Sequence, residues 1–133
     1  MNDELYLEDK MYFDLQKKRS DLGILDSKYQ LAILFERGQG TEIDTEQAFM
    51  LMYEVAQNNE EWERRVGGYR NGTYWDGYKT VKGVPEAKYR LAYYYENGIG
   101  TEVDLKKALE WYSLALEFGY NDAEKDVERL KKL

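Results

Sequence analysis

The sequence contains no cysteine and no histidine among its 133 residues. Without cysteine the chain has no disulfide framework and no thiolate nucleophile, and a reducing cytosol is the expected location. Without either residue type it lacks the usual zinc ligands and the commonest general base. The composition therefore predicts a cytoplasmic protein that is not an enzyme and that holds no metal and no cofactor.

Linkers and long apolar runs are missing as well. The chain has one proline and no tract rich in serine and glycine, so we expect a single domain over residues 1–133. No apolar run approaches the roughly 18 residues that cross a bilayer. The acidic N-terminus has the wrong charge for a signal peptide. These features predict no membrane partner.

Acidic residues exceed basic ones, and the formal net charge is −7. That excess argues against a nucleic-acid partner, because such binding relies on neutralising phosphates with lysine and arginine. The charge is explained equally well by solubility alone or by attraction to a basic protein.

One segment occurs twice, starting at Ser27 and again sixty positions later at Ala87. The residues that recur are Lys28, Tyr29, Leu31, Ala32, Glu36, Gly38, Gly40, Thr41, Glu42, Asp44 and Ala48, matched by Lys88, Tyr89, Leu91, Ala92, Glu96, Gly98, Gly100, Thr101, Glu102, Asp104 and Ala108. Matches this dense at one fixed offset indicate a repeat protein.

Each copy has the pattern of two helices joined by a tight turn. In the second copy the first helix is predicted to bury Ala87, Leu91, Ala92 and Tyr95. The second is predicted to bury Leu105, Ala108, Leu109, Tyr112, Ala115 and Leu116. Gly98 is expected to end the first helix and Asp104 to cap the second. In the first copy Asp44 and Gln47 form a pair like a capping box.

These positions resemble the Sel-one-like repeat, a relative of the tetratricopeptide repeat. The second copy supplies Ala87, Leu91, Ala92, Tyr95, Gly98, Gly100, Asp104, Lys107, Ala108, Trp111, Tyr112, Ala115 and Gly119. The first copy departs in its second helix, with Leu51 and Met52 at the Trp-Tyr positions, and both copies carry threonine where the family usually has valine. The resemblance implies an all-α fold, a short right-handed α/α solenoid.

The repeats divide the chain into an N-terminal capping helix (1–26), repeat one (27–58), an insertion (59–83), repeat two (84–121) and a C-terminal capping helix (122–133). Aligning Gly23 with Gly119 makes the first helix, Asp3 to Leu22, the second helix of a truncated repeat. Its predicted apolar face carries Leu5, Tyr12, Leu15, Arg19 and Leu22. Its charges, interpreted as a solvated polar cap, are Asp3, Glu4, Glu8, Asp9, Lys10, Lys17, Lys18 and Arg19.

The insertion is aromatic and basic. The second helix of repeat one is expected to continue as far as Val66. From Arg64 to Lys82 the net charge is +4, which leaves −11 for all other residues. Arginine with tyrosine and tryptophan is typical of interface hot spots. The insertion is therefore either a binding loop or a segment that packs on its own repeats.

The resemblance implies a protein-interaction module whose concave face carries Tyr29, Ile33, Tyr89 and Tyr93, with Glu36 or Glu96 beside them. The predicted partner-binding residues are these four together with Trp62, Arg64, Arg65, Tyr69, Arg70, Tyr74, Trp75 and Tyr78. Two functions compete: an acidic inhibitor or immunity protein that neutralises a basic toxin or nuclease, and a general adaptor or regulatory scaffold. The sequence also leaves open whether the chain forms a homo-oligomer. A hydrolase-like activity, known in a cysteine-rich branch of the family, is disfavoured because cysteine is absent.

Overall fold

The computed structural model describes residues 3–133, with side chains from residue 6 onward. This part of the chain forms six helices and two strands. They are α1 (Asp3–Asp21), α2 (Leu25–Arg37), α3 (Thr45–Gln57), β1 (Glu61–Arg70), β2 (Thr73–Lys82), α4 (Pro85–Asn97), α5 (Leu105–Glu117) and α6 (Ala123–Lys131). Each helix packs against the next helix along the chain, as in an α/α solenoid.

The turns inside the two repeats are equivalent. Gly38 ends α2 and Gly98 ends α4, both in the left-handed conformation, with φ of 70° and 69°. The predicted caps are confirmed: the Asp44 carboxylate accepts from the Gln47 amide, and the Asp104 carboxylate accepts a hydrogen bond of the same 3.0 Å length at the start of α5.

The second glycine of each turn lies against the helix that precedes the repeat. A Cβ on Gly100 would overlap the carbonyl oxygen of Thr45 in α3 and lie 2.7 Å from the Cβ of Phe49. Gly40 meets α1 in the same way, through Phe13. Because Phe13 corresponds to Phe49, α1 takes the place of a second helix from a preceding unit, as predicted.

The core follows the predicted faces of the second repeat. Ala87, Leu91, Ala92, Tyr95, Ala108, Tyr112 and Ala115 are buried, and Leu109 and Leu116 are partly buried against them. Leu105 is exposed, so its predicted burial is wrong. It begins α5, and within residues 3–133 no turn lies over it in the way that the Gly100 turn covers Thr45 at the equivalent position of α3.

The prediction for α1 is also wrong in its buried face. The side chains that α1 buries are Phe13, Gln16 and Ser20, whereas Tyr12, Leu15, Arg19 and Leu22 are exposed. The described part contains no helix on the side that these four face. The N-terminal helix, interpreted as a polar cap, therefore also exposes apolar side chains. The side chains of Asp3, Glu4 and Leu5 lie outside the described residues.

The segment between the repeats is a β-hairpin, so the fold is not all-α. The helix α3 ends at Gln57, and the predicted continuation to Val66 is wrong because that residue lies in β1. The strands are antiparallel and are joined by Asn71 and Gly72, with φ of 51° and 78°. Positive φ at both residues defines the two-residue hairpin turn that Asn-Gly favours, and it matches the twist of paired strands.

The hairpin leaves and re-enters the helical stack at nearly one point. The Gly83 amide donates a 2.9 Å hydrogen bond to the carbonyl of Glu60, which closes the base of the hairpin. As a result α3 packs directly on α4, although the whole hairpin separates them in sequence.

We predict that Gly100→Ala destabilises the chain much more than Gly119→Ala. Both glycines have positive φ, but a Cβ on Gly119 meets nothing within 4 Å. The Gly119 variant therefore reports backbone strain alone, about 1–2 kcal/mol. The Gly100 variant adds an overlap with the α3 backbone and should cost at least about 3 kcal/mol. Urea unfolding measures both, and equal losses would show that the approach of α3 is not tight.

Candidate partner-binding surface

The two faces of the hairpin differ in chemistry. Side chains alternate along a strand, and directly opposed residues share a face. The tryptophan face carries Trp62, Arg64, Val66, Arg70, Trp75, Lys79 and Val81. The tyrosine face carries Glu61, Glu63, Arg65, Tyr69, Tyr74, Asp76, Tyr78 and Lys82.

The base of the tryptophan face is fastened to the helices. Trp62 packs against the main core and donates a 2.7 Å hydrogen bond from Nε1 to the carbonyl of Gly83. The guanidinium of Arg64 stacks 4.8 Å from the Trp62 ring and donates two hydrogen bonds, 3.0 and 2.9 Å long, to the Glu86 carboxylate. Asp26 lies 3.6 Å away, and hydrogen bonding to Glu86 raises the pKa of Arg64. Trp62 and Arg64 therefore hold the hairpin in place.

The outer part of the hairpin exposes its aromatic rings. Tyr69, Tyr74, Trp75 and Tyr78 are 79%, 55%, 43% and 68% exposed. The rings of Tyr69 and Tyr74 meet at 5.3 Å, and Arg70 lies 5.8 Å from the ring of Trp75. None of these side chains belongs to either buried cluster of the described chain. The structure thus exposes five of the predicted partner-binding residues, with Tyr69, Tyr74 and Tyr78 on the tyrosine face and Arg70 and Trp75 on the opposite, tryptophan face.

Within the hairpin, basic side chains without an ion pair lie only on the tryptophan face. On the tyrosine face, ion pairs join Arg65 to Asp76 at 2.8 Å and Lys82 to Glu61 at 3.9 Å. Arg70 and Lys79 form no ion pair within residues 3–133. The predicted binding residue Arg65 is therefore neutralised within the hairpin, whereas Arg70 has no carboxylate at ion-pair distance among residues 3–133.

The residues predicted for the concave face lie partly in the core. Tyr29, Ile33 and Tyr89 are half-buried and pack against the main cluster, and burial raises the pKa of Tyr89 to about 12. Tyr93 stays at the surface, with the guanidinium of Arg90 5.0 Å from its ring. The structure does not bring these residues to the outer part of the hairpin.

Glu36, expected beside that face, joins the two repeats instead. Its carboxylate accepts hydrogen bonds of 3.1 and 2.6 Å from Arg90 and one of 2.6 Å from the hydroxyl of Tyr94. Burial raises the pKa of Tyr94, and the hydrogen bond to Glu36 raises it further. Charge-assisted hydrogen bonds in a half-buried site are strong and directional.

Glu96, the equivalent residue of the second repeat, holds the next pair of helices. It accepts a 2.8 Å hydrogen bond from the Tyr112 hydroxyl of α5 and two hydrogen bonds from Arg129 of α6. Hydrogen bonding to Arg129 lowers the pKa of Glu96. Both glutamates, which occupy the same position in the two copies, therefore join neighbouring helices of the stack.

Lys88 is a structural residue that the sequence analysis did not single out. It is buried, and its Nζ donates 2.6 Å hydrogen bonds to the carbonyl of Ala56 and to the side-chain oxygen of Asn59. Burial lowers its pKa, and its ammonium group lies 4.6 Å from the ring of Phe118. Its recurrence as Lys28 in the other copy was the signal available in the sequence.

The sequence model of the Sel1 repeat family matches residues 25–59 and 85–120, which together make up more than half of the chain. Among solved structures, a Sel1 repeat protein from Oxalobacter formigenes has a TM-score of 0.65 at 22% identity, over 89% of this chain and 39% of that one. The protective antigen c5321 of uropathogenic Escherichia coli, described as having an SLR fold, has a TM-score of 0.70 at 18% identity, over 92% and 21%.

Among curated proteins, the chitin synthase regulator SKT5 of Malassezia restricta is 28% identical over an aligned length of 141 residues. The alignment covers 95% of this chain. The chain spans only about 10% of that relative's length. At these identities the two solved structures show a shared fold alone. None of the helices within residues 3–133 is long and apolar enough to cross a bilayer.

We predict that Glu96→Gln destabilises the chain at pH 7 by about 1–2 kcal/mol, because the charge-assisted hydrogen bonds to Arg129 weaken. The pKa of Glu96 is below its ordinary value of 4.5 in the folded state. The carboxylate therefore contributes its full stability above pH 4.5, and this contribution is lost as the pH falls through the lower folded pKa. Urea unfolding at pH 7 and pH 3 should show the gap to wild type narrowing in acid.

The control for that prediction is Glu110→Gln, which changes an exposed carboxylate on α5. Its effect should be small at both pH values. A loss in Glu96→Gln that stayed constant down to pH 3 would contradict a role for the ionised carboxylate.

Proposed function

The chain belongs to the Sel1 repeat family, whose members act as protein–protein interaction scaffolds, and we propose that it is a non-enzymatic module that binds a partner protein with its hairpin. The observation that carries this proposal is the exposure of Tyr69, Tyr74, Trp75 and Tyr78 at the outer part of the hairpin. Aromatic residues and arginine dominate binding energy at protein interfaces.

The way the hairpin is attached supports the same proposal. Trp62 and Arg64 fix its base, and the paired strands fix the relative positions of the outer rings. A surface ordered before binding loses less conformational entropy when a partner docks. The helices then act as the scaffold that presents this surface.

We favour a partner with both acidic and basic surface. From Arg64 to Lys82 the net charge is +4, and the remaining residues carry −11. Arg70 and Lys79 on the tryptophan face would meet acidic groups, and the acidic helices would attract basic ones. A small acidic inhibitor or immunity protein that neutralises a basic toxin or nuclease fits this distribution.

A regulatory scaffold or adaptor is the second candidate. It is favoured by the likeness to the chitin synthase regulator, although the chain spans about 10% of that protein. The two candidates differ in what the partner does. An inhibitor abolishes the activity of a recovered toxin or nuclease on mixing, whereas an adaptor leaves its partner active and bridges it to another protein.

Salt dependence tests the role of charge in either case. Attraction between exposed charges is screened within about 8 Å at physiological ionic strength. We therefore expect the association rate with the partner to fall as salt is added, measured by surface plasmon resonance. An association rate that does not change with salt would contradict steering by charge.

For the hairpin itself, we predict that replacing Trp75 and Tyr78 together by alanine weakens partner binding at least about tenfold. Both side chains are exposed, so the helical signal in circular dichroism and the melting temperature should stay near those of wild type. Binding is measured by quantitative pull-down from an extract of the source cells, followed by titration of the recovered protein.

The matched control replaces Ile43 and Val103, two exposed apolar residues in the turns of the repeats, by alanine. This control should retain the partner that the hairpin variant loses. A hairpin variant that melts at a much lower temperature but binds normally would show that the rings stabilise the fold and do not contact the partner.

A further inference from the structure

The exposed face of α1 has the spacing of a helix-pairing seam. Glu8, Tyr12, Leu15 and Arg19, followed by Leu22 one residue beyond the helix end, recur at alternating intervals of four and three residues. This is the spacing of the positions that meet in a two-helix coiled coil. All five are exposed in the structure, and α2 covers a different side of α1.

The other end of the helical stack differs. The helix α6 buries Ala123, Val127 and Leu130 against the main core. Its outward side chains are charged: Glu124, Lys125, Glu128 and Lys131, with Lys132 following directly after the helix. A polar end cannot cover an apolar seam, so stacking of α6 of one copy on α1 of another is disfavoured.

We propose that α1 pairs with α1 of a second copy in an antiparallel, two-fold symmetric arrangement. An axis between Phe13 and Asp14 places Tyr12 opposite Leu15 of the second copy. The same axis places Glu8 opposite Arg19 of the second copy, and symmetry repeats both contacts. One register therefore matches the apolar residues and the opposite charges together.

The charge along the helix favours the same direction. From Asp3 to Tyr12 the net charge is −3, and from Phe13 to Leu22 it is +1. Antiparallel pairing sets the acidic half of each helix against the basic half of the other, whereas parallel pairing sets like against like. Lys10 and Lys17 already pair with Asp14 and Asp21, but Glu8 and Arg19 have no ion pair among the described residues.

This inference does not depend on the proposed function. The seam contains no hairpin residue, and the hairpin is attached between α3 and α4, so each copy in the pair keeps its own hairpin. Two hairpins on one particle would raise the avidity for a partner that offers two matching sites.

Charge reversal tests the proposed register on the full chain, with the mass measured by sedimentation equilibrium over a range of concentrations. Wild type should be a concentration-dependent dimer. Glu8→Arg or Arg19→Glu alone sets like charges against each other and should weaken dimerisation about tenfold or more. The double variant Glu8→Arg/Arg19→Glu restores opposite charges and should recover the dimer. An equimolar mixture of the two single variants should form a heterodimer.

Leu15→Asp should give a monomer with an unchanged circular dichroism spectrum, because the side chain is exposed. The control Val103→Asp introduces the same charge at an exposed apolar site in the α4–α5 turn and should stay dimeric. A wild type that is monomeric at all concentrations overturns the proposal, as does a dimer that survives Leu15→Asp. If the double variant dimerises no better than the single ones, the antiparallel register is wrong.

Discussion

The helical stack depends on a close backbone approach that only glycine permits. At Gly40 and Gly100 a side chain would occupy the space of the preceding second helix, so the distance between successive units is set by the absence of one carbon atom. Hydrogen bonds then fix the angle between them. Glu36 accepts hydrogen bonds from Arg90 and Tyr94 of the next repeat. Glu96 accepts one from Arg129 of α6 and one from Tyr112 of its own repeat. The glycine contact recurs because the sequence recurs, whereas the two glutamates share a repeat position but take their hydrogen bonds from donors at different positions.

The hairpin contains two kinds of residue: those that attach it to the helices and those that are exposed to solvent. Near the helices, Trp62 and Arg64 are satisfied by Gly83 and Glu86. Farther from the helices, the aromatic rings are exposed, and Arg70 lies against the ring of Trp75. The change occurs within one short pair of strands, and it explains why composition alone left binding and internal packing as open alternatives for this segment.

The helix pairs could be predicted because two copies report the same glycines, caps and apolar spacing. The hairpin could have been predicted from Asn71-Gly72 between aromatic and β-branched residues, but charged residues after Gln57 favoured a longer helix. The exposure of Leu15 could not be predicted, because periodicity locates an apolar face but does not tell which element covers it. The hydrogen-bond donors to Glu36 could not be predicted either, because they lie fifty-four and fifty-eight positions away in the sequence.

The hydrogen bond that joins Glu60 to Gly83 has a consequence for how such chains diversify. Because the two ends of the hairpin meet, the stack on either side keeps its geometry whatever is placed between them. A connection of this kind can be lengthened, shortened or exchanged for another without rebuilding the supporting helices. The residues that recognise a partner and the residues that build the stack are thereby free to evolve at different rates within one chain.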